Sequence, residues 1–207
     1  RRQVSHSLPP RQILNPWKFP VIYQYKHTTI MPSLAEANKS KSYIPLANLT
    51  GDGWSTEDEA TATCFCGAVQ IVVPTNAPGL INTFVCNCSD CHKITASMFA
   101  SNFTVADENI KWVRGKENLK TFAQSHTIAS KGVMTNYFCS TCGTLMNRVG
   151  SKYPGLNFLR IGTIDDLNLV ETKFKPQIEQ FTKDRVFWLQ PLEGKLKDIK
   201  NFDAMFH

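Results

Sequence analysis

Short runs rich in Val, Ile, Phe, Thr and Tyr dominate the chain from residue 61 onward. They read AVQIVV (68–73), NTFV (82–85), MFASNFTV (98–105), IKWVRG (110–115), LKTFAQ (119–124), KGVMTNYF (131–138), TLMNRV (144–149) and LNFLRIG (156–162). Each is four to eight residues long, with Gly, Asn or Asp turn signals spaced between the runs. That length and composition belong to strands rather than helices. The pattern predicts a mostly β domain of short antiparallel strands with few short helices. SDCHKITAS (89–97) is a candidate short helix, with Ser89 as its N-cap. Residues 190–207 alternate charged and apolar groups and predict either a packed C-terminal helix or a loose tail. The expected domain spans residues 61–190, with 191–207 as its tail.

Residues 1–60 have a different texture. Residues 1–30 hold no acid and carry prolines at 9, 10, 16 and 20. Arg-rich, acid-free composition hints at a mitochondrial transit peptide, while the prolines oppose the amphipathic helix such a peptide needs. A polar lead-in follows Met31, with turn signals at Gly51-Asp52-Gly53. Residues 1–60 are therefore expected to be a basic, flexible N-terminal extension.

Charge sharpens that division. Residues 1–50 carry seven Lys/Arg against the single acid Glu36, and residues 51–207 carry sixteen of each sign, so the whole net charge of +6 lies in residues 1–50. A neutral domain makes nucleic acid an unlikely partner for the folded part, although the basic arm could bind phosphate nonspecifically. No window approaches the roughly 18 apolar residues of a membrane helix, and no secretory signal pattern is present. The expected setting is cytoplasmic, with mitochondrial or nuclear placement also compatible. At 207 residues with 42% hydrophobic content, the chain is long enough for one domain with a real core.

Seven cysteines supply the candidate chemistry: 64, 66, 86, 88, 91, 139 and 142. Cys64/Cys66 and Cys86/Cys88 are too close for ordinary disulfides within each pair. In a reducing compartment such spacing reads as metal ligation by thiolates. CFCG (64–67) and FCSTCG (138–143) offer two thiolates each, enough for a closed, structural zinc site of Cys64, Cys66, Cys139 and Cys142. Cys86, Cys88 and Cys91 in CNCSDCHK (86–93) remain as a tripod. Three thiolates with an open position are what a catalytic zinc looks like. Closure by His92, by the distant His126 or by an aspartate would make this site structural as well, and a tripod without any ion is the third alternative. His92, Lys93 and Arg148 are candidates for positive charge near the site. Asp165 and Asp166 read as turn builders, and Phe99, Phe103 and Trp112 as core or, alternatively, pocket walls.

The order C-x-C-G, C-x-C-x-x-C-x-K, C-x-x-C-G resembles the glutathione-dependent formaldehyde-activating enzyme family, which includes centromere protein V-like proteins. IGTIDD (161–166) looks like that family's Gly-x-x-Asp-Asp block, and FW (187–188) falls near its C-terminal Trp. The resemblance spans about residues 61–190 and implies a zinc-bearing β-tent. It implies two Zn2+ per chain, one structural on Cys64, Cys66, Cys139 and Cys142, and one near an active site on Cys86, Cys88 and Cys91. It further implies a carbon–sulfur lyase acting on glutathione, or a related small thiol, and a small aldehyde, with S-hydroxymethylglutathione as the adduct. Two other classes stand beside it. A binding module with two structural zincs would engage protein or chromatin. A methionine-sulfoxide-type reductase would need a redox cysteine outside the knuckles, and none is left over.

Overall fold

A computed structural model of the chain describes residues 33–45, 49–196 and 198–206. Residues 1–32, where a targeting segment or basic arm is expected, lie outside the described residues. The strands are β1 (Glu59–Thr63), β2 (Gln70–Pro74), β3 (Leu80–Cys86), β4 (Ala100–Ala106), β5 (Lys111–Arg114) and β6 (Leu119–Gln124). They continue with β7 (Met134–Cys139), β8 (Leu145–Gly150), β9 (Leu156–Arg160), β10 (Ile178–Gln180) and β11 (Lys200–Phe202). Two short helices join them, α1 (Ser89–Thr95) and α2 (Leu167–Glu171). The expectation of a mostly β fold with few short helices holds, and each of the eight apolar runs overlaps a strand.

The strands form two sheets. β1, β2 and β5 make a three-stranded sheet, and the other eight follow the order β11-β10-β3-β4-β9-β8-β7-β6. Antiparallel pairing prevails, but β10 pairs in parallel with both β3 and β11. Side chains alternate between the faces of a strand, so register decides what each face carries. On one face of the large sheet Phe103, Val105 and Leu159 meet Ile71 and Val73 of the small sheet, with Phe174 and Ile164 completing a buried core. The Phe103 and Phe174 rings lie edge to face at 4.8 Å. On the opposite face stand Phe84 and Cys86 of β3, Asn102 of β4, Phe158 and Arg160 of β9, and Arg148 of β8. Phe84 pairs with Asn102, Asn102 with Arg160, and Phe158 with Arg148. That second face becomes the site.

The segment expected to be a loose extension is, in its described residues 33–45, tied to the domain. Tyr43 N–H donates to Asp166 Oδ1 at 2.9 Å, and the Asn168 side chain donates to the carbonyls of Asn38 and Lys41. These ties are polar and long-range, so hydrophobic periodicity carries no trace of them. The C-terminal segment likewise differs from both expectations. It makes a 3-10 turn at Leu192–Gly194 and then strand β11, and Phe206 packs edge-on against Phe84 at 5.6 Å.

Asp165 and Asp166 are structural, as their turn reading requires. Asp165 accepts a 2.6 Å hydrogen bond from the Thr63 hydroxyl. Asp166 caps α2 by accepting from Asn168 N–H and also holds the Ser55 hydroxyl at 2.6 Å.

Candidate metal centres and active site

The first cysteine set is assembled from two knuckles. Cys64 follows β1, and Gly67 N–H donates to its carbonyl at 2.9 Å, closing a tight turn. Gly67 lies at φ 79°, and a Cβ there would meet Thr50 at 2.1 Å, so the turn admits only glycine. Cys139 ends β7, and Gly143 N–H donates to its carbonyl, again at positive φ (77°). Phe65 N–H donates to the Thr144 hydroxyl and locks one knuckle to the other. The sulfurs of Cys64, Cys66, Cys139 and Cys142 lie within 4.8 Å of one another. Cys66 and Cys139, 73 positions apart, are 3.7 Å apart at sulfur, and Cys64 and Cys66 are 3.6 Å apart. These distances exclude disulfides, and all seven cysteines are unpaired.

Donors already point at these sulfurs. Val69 N–H donates to Cys64 Sγ at 3.2 Å, and the Asn118 amide donates to Cys139 Sγ at 3.4 Å. Such bonds favour thiolates and surround metal–thiolate sites. The protons of the set are divided unevenly. Burial pushes the Cys64 thiol up to about 12. Burial also acts to raise Cys142, but hydrogen bonds from Thr144 and Cys66 bring it down to about 6. Four sulfurs at this spacing fit a tetrahedral ion.

The second set sits where β3 runs into α1. Cys86 is the last residue of β3, Cys88 is the N-cap of α1, and Cys91 lies in the helix. Ser89 is therefore the first helical residue rather than the cap, because the chain must turn one position earlier to bring the Cys88 sulfur back to Cys86. Their sulfurs lie 3.4 Å apart, and all three sulfurs lie within 4.8 Å of one another. Hydrogen bonds from Cys86 and Cys91 hold Cys88 far below the ordinary thiol range, with the Arg148 charge assisting. The same sharing, together with burial, raises Cys86. Among the described residues no histidine, aspartate or glutamate joins this cluster. His126 is exposed, and His92, though next to Cys91, does not converge on the sulfurs.

A buried carboxylate holds the tripod loop in place. Glu179 on β10 accepts from the Asn87 amide at 2.9 Å, from Arg185 Nε at 2.8 Å and from Leu192 N–H at 3.4 Å. Asn87 lies between two of the tripod cysteines. Glu179→Ala leaves Arg185 Nε without its carboxylate and Asn87 with only its longer bond to the Gln180 carbonyl, and is expected to cost about 3 kcal/mol of stability in urea unfolding.

The tripod opens on a cavity of about 500 Å³, within the usual range for small-molecule sites, roughly 300–1,000 Å³. Cys86, Cys88 and Cys91 lie on its wall, while the four-sulfur set does not. Phe84, Phe158, Tyr153 and Met205 give it apolar sides. Arg148 and Arg160 supply buried positive charge. Of the three candidate cations named from sequence, only Arg148 reaches this wall. Lys93 is exposed, and His92 Nε2 is buried without a partner. Phe103 is core, Trp112 packs beside it and Phe99 is a third exposed, so none of the three lines the cavity. Arg160 and Glu179 escaped sequence reading. The available signal was a charge inside the apolar run LNFLRIG and another in the short IEQ.

A family model described as glutathione-dependent formaldehyde-activating enzyme matches residues 59–184, well over half of the chain. The chain belongs to that family. The family region opens on the first residue of β1, closes just beyond β10 and contains all seven cysteines. A crystal structure of a Rhodobacter sphaeroides protein aligns with 69% of this chain and 98% of its own length, at 20% identity and a TM-score of 0.41. Among curated proteins none matches the sequence. No helix among the described residues is long and apolar enough to cross a membrane.

Proposed function

We propose that the chain is a zinc-dependent carbon–sulfur lyase that makes and breaks S-hydroxymethylglutathione at the Cys86–Cys88–Cys91 tripod. The observation that carries this reading is the asymmetry of the two cysteine sets. One set of four is self-sufficient, and the other has no fourth protein donor among the described residues and faces a cavity. In the forward reaction the thiol sulfur bonds to the aldehyde carbon, the C=O π bond opens, and the thiol proton ends on the new hydroxyl. Nothing is oxidised or reduced. A zinc ion on the tripod supplies thiol acidification and a position for the substrate sulfur.

The chain's own residues supply the rest. Arg148 and Arg160 offset the negative charge that thiolates gather on this wall. Phe84 and Phe158, 6.2 Å apart edge to face, keep the wall apolar and limit water. Addition of thiols to formaldehyde is intrinsically fast, so the gain lies in holding the two reactants together. Exchange NMR between formaldehyde hydrate and its glutathione adduct tests the reading. The exchange rate should rise in proportion to zinc-loaded protein, and a rate equal to that of buffer at every protein concentration would remove the lyase.

A second reading has one feature behind it. Phe187 and Trp188 stand 95% and 57% exposed, an aromatic pair that a binding module would use. Unchanged exchange rates together with two tightly held ions would favour that module.

Metal loading should depend on pH. Cys64 and Cys86 have raised thiol pKa values, so the metal-free clusters hold protons at neutral pH that must leave when zinc binds. Acid restores those protons. Competition with a chelator should therefore strip the protein progressively as pH falls from 8 to about 5.

A further inference from the structure

We propose that Arg148 and Arg160 form a carboxylate subsite beside the three sulfurs, and that the group it takes is the glycine carboxylate of glutathione. The identity of that thiol rests on the lyase reading above. Both arginines lie on the cavity wall and are buried, 9% and 7% exposed. Register sets them on one face: Arg148 on β8 opposes Phe158, and Phe158 stands two positions before Arg160 on β9.

Their donors are not used up. Arg160 Nη1 donates to Asn102 Oδ1, but Arg160 Nε and Nη2 are buried without a partner. Arg148 Nη2 lies 3.8 Å from Asp90 Oδ2, and Arg148 Nε is buried without a partner. Asp90 is itself occupied by the Thr127 hydroxyl at 2.7 Å. Buried N–H groups on a cation are costly to leave unpaired. The nearby sulfurs account for positive charge at this wall, yet no hydrogen bond runs from these orphaned nitrogens to a sulfur. A planar carboxylate matches the guanidinium fork and satisfies two such donors at once.

The chemistry selects which carboxylate. At the γ-glutamyl end of glutathione the carboxylate stands beside an ammonium, which two guanidiniums and the neighbouring Lys152 repel. The glycine end is a carboxylate alone. Asp184, also on the wall, would hold no anion.

The test uses the zinc-loaded full chain and calorimetric titration with two probes: glutathione, and glutathione with its glycine carboxylate converted to the amide. The amide should bind about 10–100-fold more weakly. In Arg160→Gln the two affinities should come within about threefold. Arg160→Lys keeps the charge beside the sulfurs and loses the fork; it should retain the wild-type metal content and lose most of the discrimination. Equal binding of both probes by wild type, or binding of neither, overturns the subsite. So does full discrimination in both Arg160→Lys and Arg148→Gln. Exchange NMR scores the lyase separately: protein that discriminates the probes without accelerating adduct exchange keeps the subsite and loses the lyase.

Discussion

Cys139→Ser is expected to give insoluble or unfolded protein. Cys139 is 1% exposed and stands at the end of β7, where its sulfur meets that of Cys66 across 73 positions. It also accepts the Asn118 amide and packs against Cys64, Val69 and Met146. That small cluster is where the end of β7 meets the turn after β1, and a metal held there would fasten the two sheets. Structural zinc contributes on the order of 10–16 kcal/mol in small domains, comparable to or larger than the net stability of a typical domain. Serine at 139 removes one ligand and leaves a polar hydroxyl in an apolar pocket. Soluble yield, far-UV circular dichroism and metal content check the expectation. A well-folded variant with the wild-type metal content would refute the structural assignment.

Cys88→Ser should behave differently. Cys86 and Cys91 are 3% and 4% exposed and belong to the apolar cluster around Phe84 and Phe158, whereas Cys88 is only half-buried at the start of α1. Serine is a good N-cap, and Cys88 provides no side-chain cap hydrogen bond to lose. The variant should therefore stay folded, with unfolding shifted by no more than about 1 kcal/mol in metal-free protein. It should lose the second metal and with it the whole acceleration of adduct exchange. A lost activating metal is worth several kcal/mol, about a hundredfold or more in rate. Retained acceleration in a Cys88→Ser protein carrying one ion per chain would place the chemistry elsewhere.

The strands that the sequence reveals are those whose own side chains prefer a pleated, half-buried surface, such as AVQIVV and MFASNFTV. EATAT (59–63) lacks that preference yet forms β1, because Ala60 and Ala62 are small enough to vanish into the core while the backbone pairs with β2. IEQ and KNF are strands only because β3 offers an edge to β10 and β10 offers one to β11. The cysteines are legible for a different reason: C-x-C and C-x-x-C spacings are local, and the turn that converges two sulfurs is written in the same few residues. Arg160 is not local in this sense. Its neighbour Asn102 lies 58 positions away, and only the β4–β9 register brings the two together on the face that holds Cys86. His126 shows the converse. It was free in sequence to close the tripod, but it sits on an exposed stretch after β6 and adds no donor to the sulfurs.

The most direct test of the account is zinc-edge X-ray absorption on the fully loaded chain, before and after glutathione is added. A closed site of four cysteines beside an open site of three gives an average of about 3.5 sulfur neighbours per zinc. That average should rise to about 4 with glutathione and stay unchanged with S-methylglutathione, which has no thiolate to offer. An average of about 3.5 that glutathione leaves unmoved, with a nitrogen or oxygen neighbour in place, would contradict an open tripod and make both sites structural.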